Sequence, residues 1–155
     1  MDNSGTTGSR PDWAALKSIV LIGNHLPRQC GIATFTTHLL ESIALNAREK
    51  TCWAVAMNDR PEGYAYPSQV RFEINQSQLN EYSLAADLCN MNQVDVVCLQ
   101  HEYGIFGGKL GSFIIELLRD LNMPVVDGYQ VLEIIRKEDL PSMVIVVSGD
   151  IQPEA

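Results

Sequence analysis

The apolar positions of the chain fall into short blocks whose spacing switches between the period of a strand and that of a helix. Blocks rich in β-branched residues predict strands at 17–23, 51–58, 70–74 and 94–100. Blocks with apolar residues three and four positions apart predict helices at 34–47, 77–92 and 109–121. The apolar face of the first helix is predicted to contain Phe35, Leu39, Ile43 and Ala47.

Strand and helix alternate over this whole region, and most of the strands are almost continuously apolar. Such strands are buried on both faces, as in a parallel sheet covered by helices. The Pro- and Gly-containing segment 59–69 predicts a loop. The predicted fold class is therefore α/β: a doubly wound, mostly parallel, Rossmann-like sheet flanked by helices, in a single domain that suits a chain of 155 residues.

The two ends of the chain depart from this central pattern. Residues 1–16 are mostly small and polar and predict a disordered leader. Beyond the central helices we expect a strand at 123–126, an amphipathic helix at 128–138 and a strand at 142–150, which continue the same sheet. Because no helix is expected to cover "MVIVVSG" in that last strand, we expect it to promote self-association.

Charge and composition restrict the function classes. The net charge of −8, from 11 basic and 19 acidic residues, argues against a nucleic-acid partner or an anionic membrane surface. The sequence has no apolar run of the roughly 20 residues that span a membrane and no signal-peptide pattern, so we expect a cytoplasmic protein. The four cysteines form no CxxC pair, and we predict no zinc site, disulfide framework or cofactor.

The loop "GNHLPRQCGIATF" connects the first strand to the first helix and contains Gly23 and Gly31. A helix that starts there points unpaired backbone N–H groups outwards, and a phosphate or a sugar hydroxyl is a suitable ligand for them. The loop is not a GxGxxG motif, so an ordinary turn is an equally open interpretation.

This loop, together with "AMNDRPEGYAYP" and "VDVVCLQHEYGIFGG", resembles the N-terminal half of the family 4 glycosyltransferases, which are retaining enzymes of the GT-B fold. The resemblance covers about residues 17–124, and "QHEYGIFGG" is its most specific string. It implies a Rossmann-like half domain that holds the sugar acceptor, whereas the nucleotide-sugar lies largely on a second domain. We expect no second domain in this sequence, and therefore no turnover by the chain alone.

By the same resemblance, Gly31 in the first loop and His101 with Glu102 after the fourth strand would face the cleft. Ligands of open α/β sheets bind at the carboxyl ends of the strands, which is where these residues are expected. His101 is the catalytic candidate, because it could donate a hydrogen bond to a sugar hydroxyl or to developing charge. The alternative is a histidine that caps the loop backbone.

Asp59 is a further candidate for substrate binding. A solvated turn that also contains Arg60 and Glu62 explains the same residues equally well. His25 and His38 are better explained by structural roles than by ligand contacts.

The tail "DLNMPVVDGYQVLEIIRKEDLPSMVIVVSGD" resembles the middle of a response-regulator receiver domain, over about residues 120–155. By that motif, Asp120 would be the phosphoacceptor and Ser148 the hydroxyl that senses the phosphoryl group. The acidic pair that binds Mg²⁺ in receivers has no counterpart after "SIVLIG", and phosphoryl transfer to an aspartate depends on that metal.

The two resemblances overlap in "LRDLNMPVV", which indicates a chimera, natural or constructed, with its crossover near 119–126. Residues 125–155 would then be a receiver-like tail on the half domain. A phosphoacceptor would end a strand, whereas the glycosyltransferase-like register makes Asp120 end a helix. We predict the helix, because in a helical 113–121 segment four apolar residues lie on one face: Phe113, Leu117, Leu118 and Leu121.

Three functional hypotheses follow from these patterns. The first is a glycosyltransferase-like half domain, whose candidate partner is a sugar or glycan acceptor. The second is a receiver-type phosphorelay module, and the third is a recombined scaffold that binds no ligand.

Overall fold

The computed structural model of the protein describes residues 16–102 and 104–122. The strands are β1 (Ser18–Gly23), β2 (Thr51–Asn58), β3 (Val70–Asn75) and β4 (Val96–Leu99). The helices are α1 (Gly31–Asn46), α2 (Leu79–Met91) and α3 (Ile114–Asp120). The predictions for residues 1–15 and 123–155 lie outside the described residues.

The four described strands form one parallel sheet in the order β3-β2-β1-β4. The chain builds outwards from β1 through β2 to β3, and then crosses back through α2 to place β4 on the other side of β1. The strand order therefore reverses between β1 and β4, which makes their carboxyl ends a topological switch point. The predicted α/β, Rossmann-like arrangement is confirmed for this part of the chain.

Helices cover both faces of the sheet, because successive strand residues point to opposite sides. The larger core lies under α2 and α3 and includes the buried residues Val20, Ile22, Trp53, Val55, Met57, Tyr82 and Leu117. The smaller core lies under α1 and consists of Leu21, Leu40 and Ala54. The predicted doubly wound arrangement follows from this division.

The predicted apolar face of helix α1 is only partly buried. Leu39 and Ile43 are half-buried and pack against the smaller core, and Ala47 is half-buried, whereas Phe35 is 51% exposed. The fully buried residues of α1 are Ala33, Thr36, Thr37 and Leu40. Small side chains let α1 approach the sheet, and the Thr37 hydroxyl is satisfied there because it donates to the Ala33 carbonyl (2.8 Å) and accepts from the Leu26 N–H (3.1 Å).

The predicted helix 109–121 begins later than expected. A short 3-10 turn at Lys109–Gly111 precedes it, and positive φ angles of 55° at Leu110 and 78° at Gly111 interrupt the helical path. Helix α3 then runs to Asp120, so the prediction that Asp120 ends a helix is confirmed. The predicted face is also confirmed, since Leu117 and Leu121 are buried and the half-buried residues beside them are Phe113 and Leu118.

The carboxylate of Asp95 holds the starts of β1 and β4 together. Its Oδ2 accepts hydrogen bonds from the backbone N–H groups of Lys17 and Ser18, at 2.8 Å each, and from the Ser18 hydroxyl at 3.1 Å. These hydrogen bonds stabilise the charged carboxylate and lower the pKa of Asp95 below its usual value. The largest contribution comes from the N–H of Lys17 and the next from the N–H of Ser18.

We expect Asp95→Asn to lower the unfolding temperature at neutral pH and to have little effect in acid. A carboxyl group whose pKa is depressed by folding stabilises the protein above its unfolded-state pKa, about 3.9 for Asp, and this stabilisation is lost as the pH falls through the folded-state pKa. Thermal unfolding followed by circular dichroism should show the deficit of the variant shrinking between about pH 5 and pH 2. The matched control is Asp87→Asn, an exposed position on α2; a deficit at Asp95 that persists in acid would contradict the assignment.

Candidate functional site

The carboxyl ends of β1 and β4 meet closely at the switch point. The N–H of Gln100 donates to the Ile22 carbonyl at 2.8 Å, which extends the pairing beyond β4. A Cβ atom on Gly23 would lie 2.7 Å from the Cβ of Gln100, so glycine at this position permits the close approach. The loops that leave β1 and β4 therefore start side by side.

An open depression of about 620 Å³ lies at this edge, between the loop that follows β1 and the loop that follows β2. Its lining residues are Pro27, Arg28, Gln29, Cys30, Asp59, Arg60, Tyr64 and Ala65. Asp59 is the one predicted substrate-binding residue in this lining.

Arg28 joins the two loops that form the depression. Its NH1 donates to Asn24 Oδ1 at 3.1 Å and to the Met57 carbonyl at 3.3 Å, and its NH2 lies 3.4 Å from Asp59 Oδ2. The Arg28 side chain is 15% exposed and the Asp59 side chain 39%. The guanidinium is therefore largely fixed by protein contacts, while the carboxylate faces solvent at the opening.

Tyr64 orients Asp59 from the other side. Its hydroxyl donates to Asp59 Oδ1 at 2.9 Å, and this hydrogen bond raises the pKa of Tyr64. The guanidinium of Arg60 lies 3.8 Å from the Tyr64 ring centroid, and its Nε donates to the Gly63 carbonyl at 2.7 Å. In the loop after β2, the stacked side chains of Arg60 and Tyr64 therefore hold the Asp59 carboxylate in place.

The buried amide of Asn58 supports this loop from below. Its Oδ1 accepts from the Tyr66 hydroxyl and its Nδ2 donates to Glu73 Oε2, both at 2.7 Å. Gly63 has a φ of 62°, and a Cβ there would collide with Glu73 and the Asn58 amide. Glycine is therefore required at this turn.

His25 is buried beneath the loop that follows β1. Its Nδ1 lies 2.7 Å from the Leu26 carbonyl, which can only accept, so Nδ1 carries the proton. The ring packs edge-on against Tyr66, with ring centroids 6.1 Å apart. Nε2 has no hydrogen-bond partner among the described residues.

The start of α1 borders the depression. Cys30 caps the helix, since its Sγ accepts from the Ala33 N–H and from Asn24 Nδ2, at 3.4 Å each. Gly31 follows as the first helical residue, and a Cβ on it would meet no atom within 4 Å. Packing therefore does not require a glycine at this position, and the space beside Gly31 is open.

His101 and Glu102 lie on the loop that follows β4, on the other side of β1 from the depression. His101 is exposed, and its ring centroid lies 5.7 Å from that of Phe106. Glu102 is half-buried, and its carbonyl accepts from the Ile105 N–H at 3.3 Å. Neither residue lines the depression, so the structure does not bring them together with Asp59 in one pocket.

The remaining predicted residues lie at the surface or outside the described part of the chain. His38 is exposed on α1, and exposed Glu62 lies 3.8 Å from Arg60. Ser148 lies outside the described residues. Within residues 16–102 and 104–122, no group of three His, Cys, Asp or Glu side chains is arranged to hold a metal ion.

Asp120 lies at the opposite end of the sheet from the depression. Its carbonyl accepts from Asn90 Nδ2 at 2.8 Å, and the N–H of Asn122 donates to Asn90 Oδ1 at 3.0 Å. Asn90 is near the end of α2, which leads into Asp95 and the start of β4. The described part of the chain thus places this carboxylate far from the carboxyl ends of the strands.

Comparisons with family models, curated proteins and solved structures found no match to this chain. None of the described helices has both the length and the apolar character needed to span a membrane. The contacts of Arg28 and Tyr64 were not predicted from the sequence. Arg28 is the one basic residue between β1 and α1, which is the only indication that the sequence gives of its role.

Proposed function

We propose that this chain is the acceptor-binding half of a GT-B-like, retaining glycosyl-transfer system, and that it binds a sugar or glycan at the carboxyl edge of its sheet. The observation that carries the proposal is the open depression beside the start of α1. Ligands of open α/β sheets bind at the carboxyl ends of the strands. Of the two motifs that resemble the glycosyltransferases, "CGIATFT" contains the cap and the first turns of α1, and "QHEYGIFGG" contains His101 on the loop that leaves β4.

The chemistry of the depression suits a polyhydroxylated ligand. A carboxylate from Asp59, guanidinium groups from Arg28 and Arg60, and an exposed amide from Gln29 supply both hydrogen-bond donors and acceptors. A Cβ on Gly31 would meet no atom within 4 Å, and the first N–H groups of a helix have no partner within the helix, so a hydroxyl oxygen of a ligand could accept from them there.

His101 takes part in this proposal as a residue of the neighbouring loop. Its exposed imidazole would donate a hydrogen bond to a ligand that extends from the depression across the end of β1. Glu102 would accept a hydrogen bond from the same ligand.

Ligand-observed NMR tests the proposal. Saturation-transfer difference spectra would be recorded with glucose, mannose, galactose, maltose and cellobiose, and in parallel with UDP-glucose and GDP-mannose. We expect at least one sugar to bind, and Gly31→Gln to weaken its binding about tenfold or more, because the added side chain would start in the open space beside Gly31 and compete there with the ligand.

The matched control is His38→Gln, an exposed substitution elsewhere on α1 that should leave binding unchanged. Absence of binding to every sugar would overturn the proposal. A parallel experiment adds Mg²⁺ and beryllofluoride and records the backbone amide shifts of the protein. Shift changes that cluster around Asp120 would favour the receiver hypothesis instead.

A further inference from the structure

We propose that the depression selects an uncharged sugar, with the carboxylate of Asp59 and the guanidinium of Arg28 engaging two adjacent hydroxyl groups. This inference rests on the proposed function and specifies which class of sugar binds and which residues recognise it.

Asp59 and Arg28 both keep unused hydrogen-bonding capacity. A carboxylate offers about four lone-pair sites, and the contacts to Asp59 are one from Tyr64 at 2.9 Å and one from Arg28 at 3.4 Å. A guanidinium has five N–H donors, and those of Arg28 reach Asn24, the Met57 carbonyl and Asp59. A vicinal diol complements this pair, because each hydroxyl both donates and accepts.

The charges around the depression balance, which favours a neutral ligand. Arg28 faces Asp59 at 3.4 Å, and Arg60 faces Glu62 at 3.8 Å. A phosphate or carboxylate that approached Arg28 would also approach the Asp59 carboxylate, and like charges repel in this position. Anionic sugars should therefore bind more weakly than their uncharged counterparts.

Tyr64 acts as a positioning residue for Asp59. Its hydroxyl holds Oδ1 from the side away from Arg28, which leaves Oδ2 directed between the two loops. The stacked Arg60 guanidinium fixes the Tyr64 ring in turn. The carboxylate is thus oriented before a ligand arrives, which lowers the entropic cost of binding.

Substitution of Asp59 by asparagine tests the charge argument. Isothermal titration calorimetry would measure the affinity of the tightest-binding sugar among glucose, mannose and galactose, and of its 6-phosphate. We expect Asp59→Asn to weaken the uncharged sugar about tenfold or more, because the charged acceptor is replaced by a neutral amide, which accepts a weaker hydrogen bond. The same variant should bind the 6-phosphate more tightly than the wild type does, because Arg28 loses its counter-ion.

A second variant and a ligand series separate recognition from folding. Tyr64→Phe keeps the ring under Arg60 and should weaken the uncharged sugar several-fold with a similar melting temperature. The 2-, 3- and 4-deoxy forms of the sugar should show losses at two adjacent positions. Asp87→Asn, exposed on α2, should change neither affinity.

The outcomes distinguish this inference from the proposed function. Sugar binding that Asp59→Asn and Tyr64→Phe leave unchanged would overturn the assigned recognition pair and retain the proposed function. A wild-type preference for the 6-phosphate would overturn the neutral class, and the absence of any sugar binding would overturn both proposals.

Discussion

Gly107→Ala is expected to lower the free energy of unfolding by about 3 kcal/mol or more. A Cβ on Gly107 would overlap the carbonyl oxygen of Gln76 and lie 2.8 Å from its carbonyl carbon. The obstacle is backbone rather than a flexible side chain, so the loop after β4 must move away from the turn before α2. Chemical denaturation followed by tryptophan fluorescence measures the loss.

The movement would also break a buried hydrogen-bond chain. The Tyr82 hydroxyl donates to the Gln76 carbonyl at 3.0 Å and accepts from the Gly107 N–H at 2.9 Å. Tyr82 is fully buried, and a buried polar group that loses its partner costs about 1–3 kcal/mol. The steric and polar costs therefore act in the same direction.

Gly31→Ala is the matched control for this substitution. A Cβ at Gly31 meets no atom within 4 Å, and the residue has helical backbone geometry in the first turn of α1. We expect a change of about 0.5 kcal/mol or less, or a small gain in stability. Equal stability of the two alanine variants would contradict the close packing of the loop after β4 on the turn before α2.

The strands were predictable from sequence because their own composition determines them. A run of β-branched and apolar residues predicts β2 at 51–58, and the strand spans Thr51–Asn58. The alternating run at 70–74 predicts one less buried face, and β3 alternates between exposed Arg71 and Glu73 and more buried neighbours. Local composition is sufficient in both strands.

The face of α1 was predicted only in part by the same reasoning, since Leu39 and Ile43 pack against the smaller core. Apolar periodicity selects Phe35 as core, but the helix buries Thr36 and Thr37 and leaves Phe35 half exposed. How closely a helix approaches a sheet depends on the size of the side chains between them and on partners for the buried hydroxyls. One such partner is the N–H of Leu26, which the sequence pattern does not relate to Thr37.

The candidate site was predicted only in part, for a similar reason. Asp59 follows a predicted strand and could be selected from its position, whereas its contact with Arg28 joins residues 31 positions apart. That contact depends on the register of β1 against β2 and on the turn of the loop before α1. Neither is encoded in residue spacing, so Arg28 and Tyr64 emerge only from the folded chain.

Whether Asp120 ends a helix or a strand can be tested by measuring stability. A helix buries Leu117 and leaves Asp120 partly exposed, whereas a receiver domain would place Asp120 at the end of a buried strand. Leu117 is fully buried, Ile115 is 59% exposed, and the Asp120 side chain is 30% exposed. Substitutions at these three positions should therefore differ sharply in cost.

We expect Leu117→Ala to destabilise the protein by about 2–5 kcal/mol, because it leaves a cavity between α3 and the sheet. Ile115→Ala, the matched control on the exposed side of α3, should cost much less. Asp120→Asn should leave the unfolding free energy within about 0.5 kcal/mol of the wild type, because the backbone carbonyl, rather than the carboxylate, makes the contact with Asn90. Chemical denaturation of the three variants provides the comparison.

Phosphorylation of Asp120 is a second test. Intact-mass measurement after incubation with acetyl phosphate and Mg²⁺ should detect no added phosphoryl group. A phosphoryl group that appears in the wild type and disappears in Asp120→Asn would establish the receiver register and reject the helical one, as would a loss of stability at Asp120 comparable to that at Leu117.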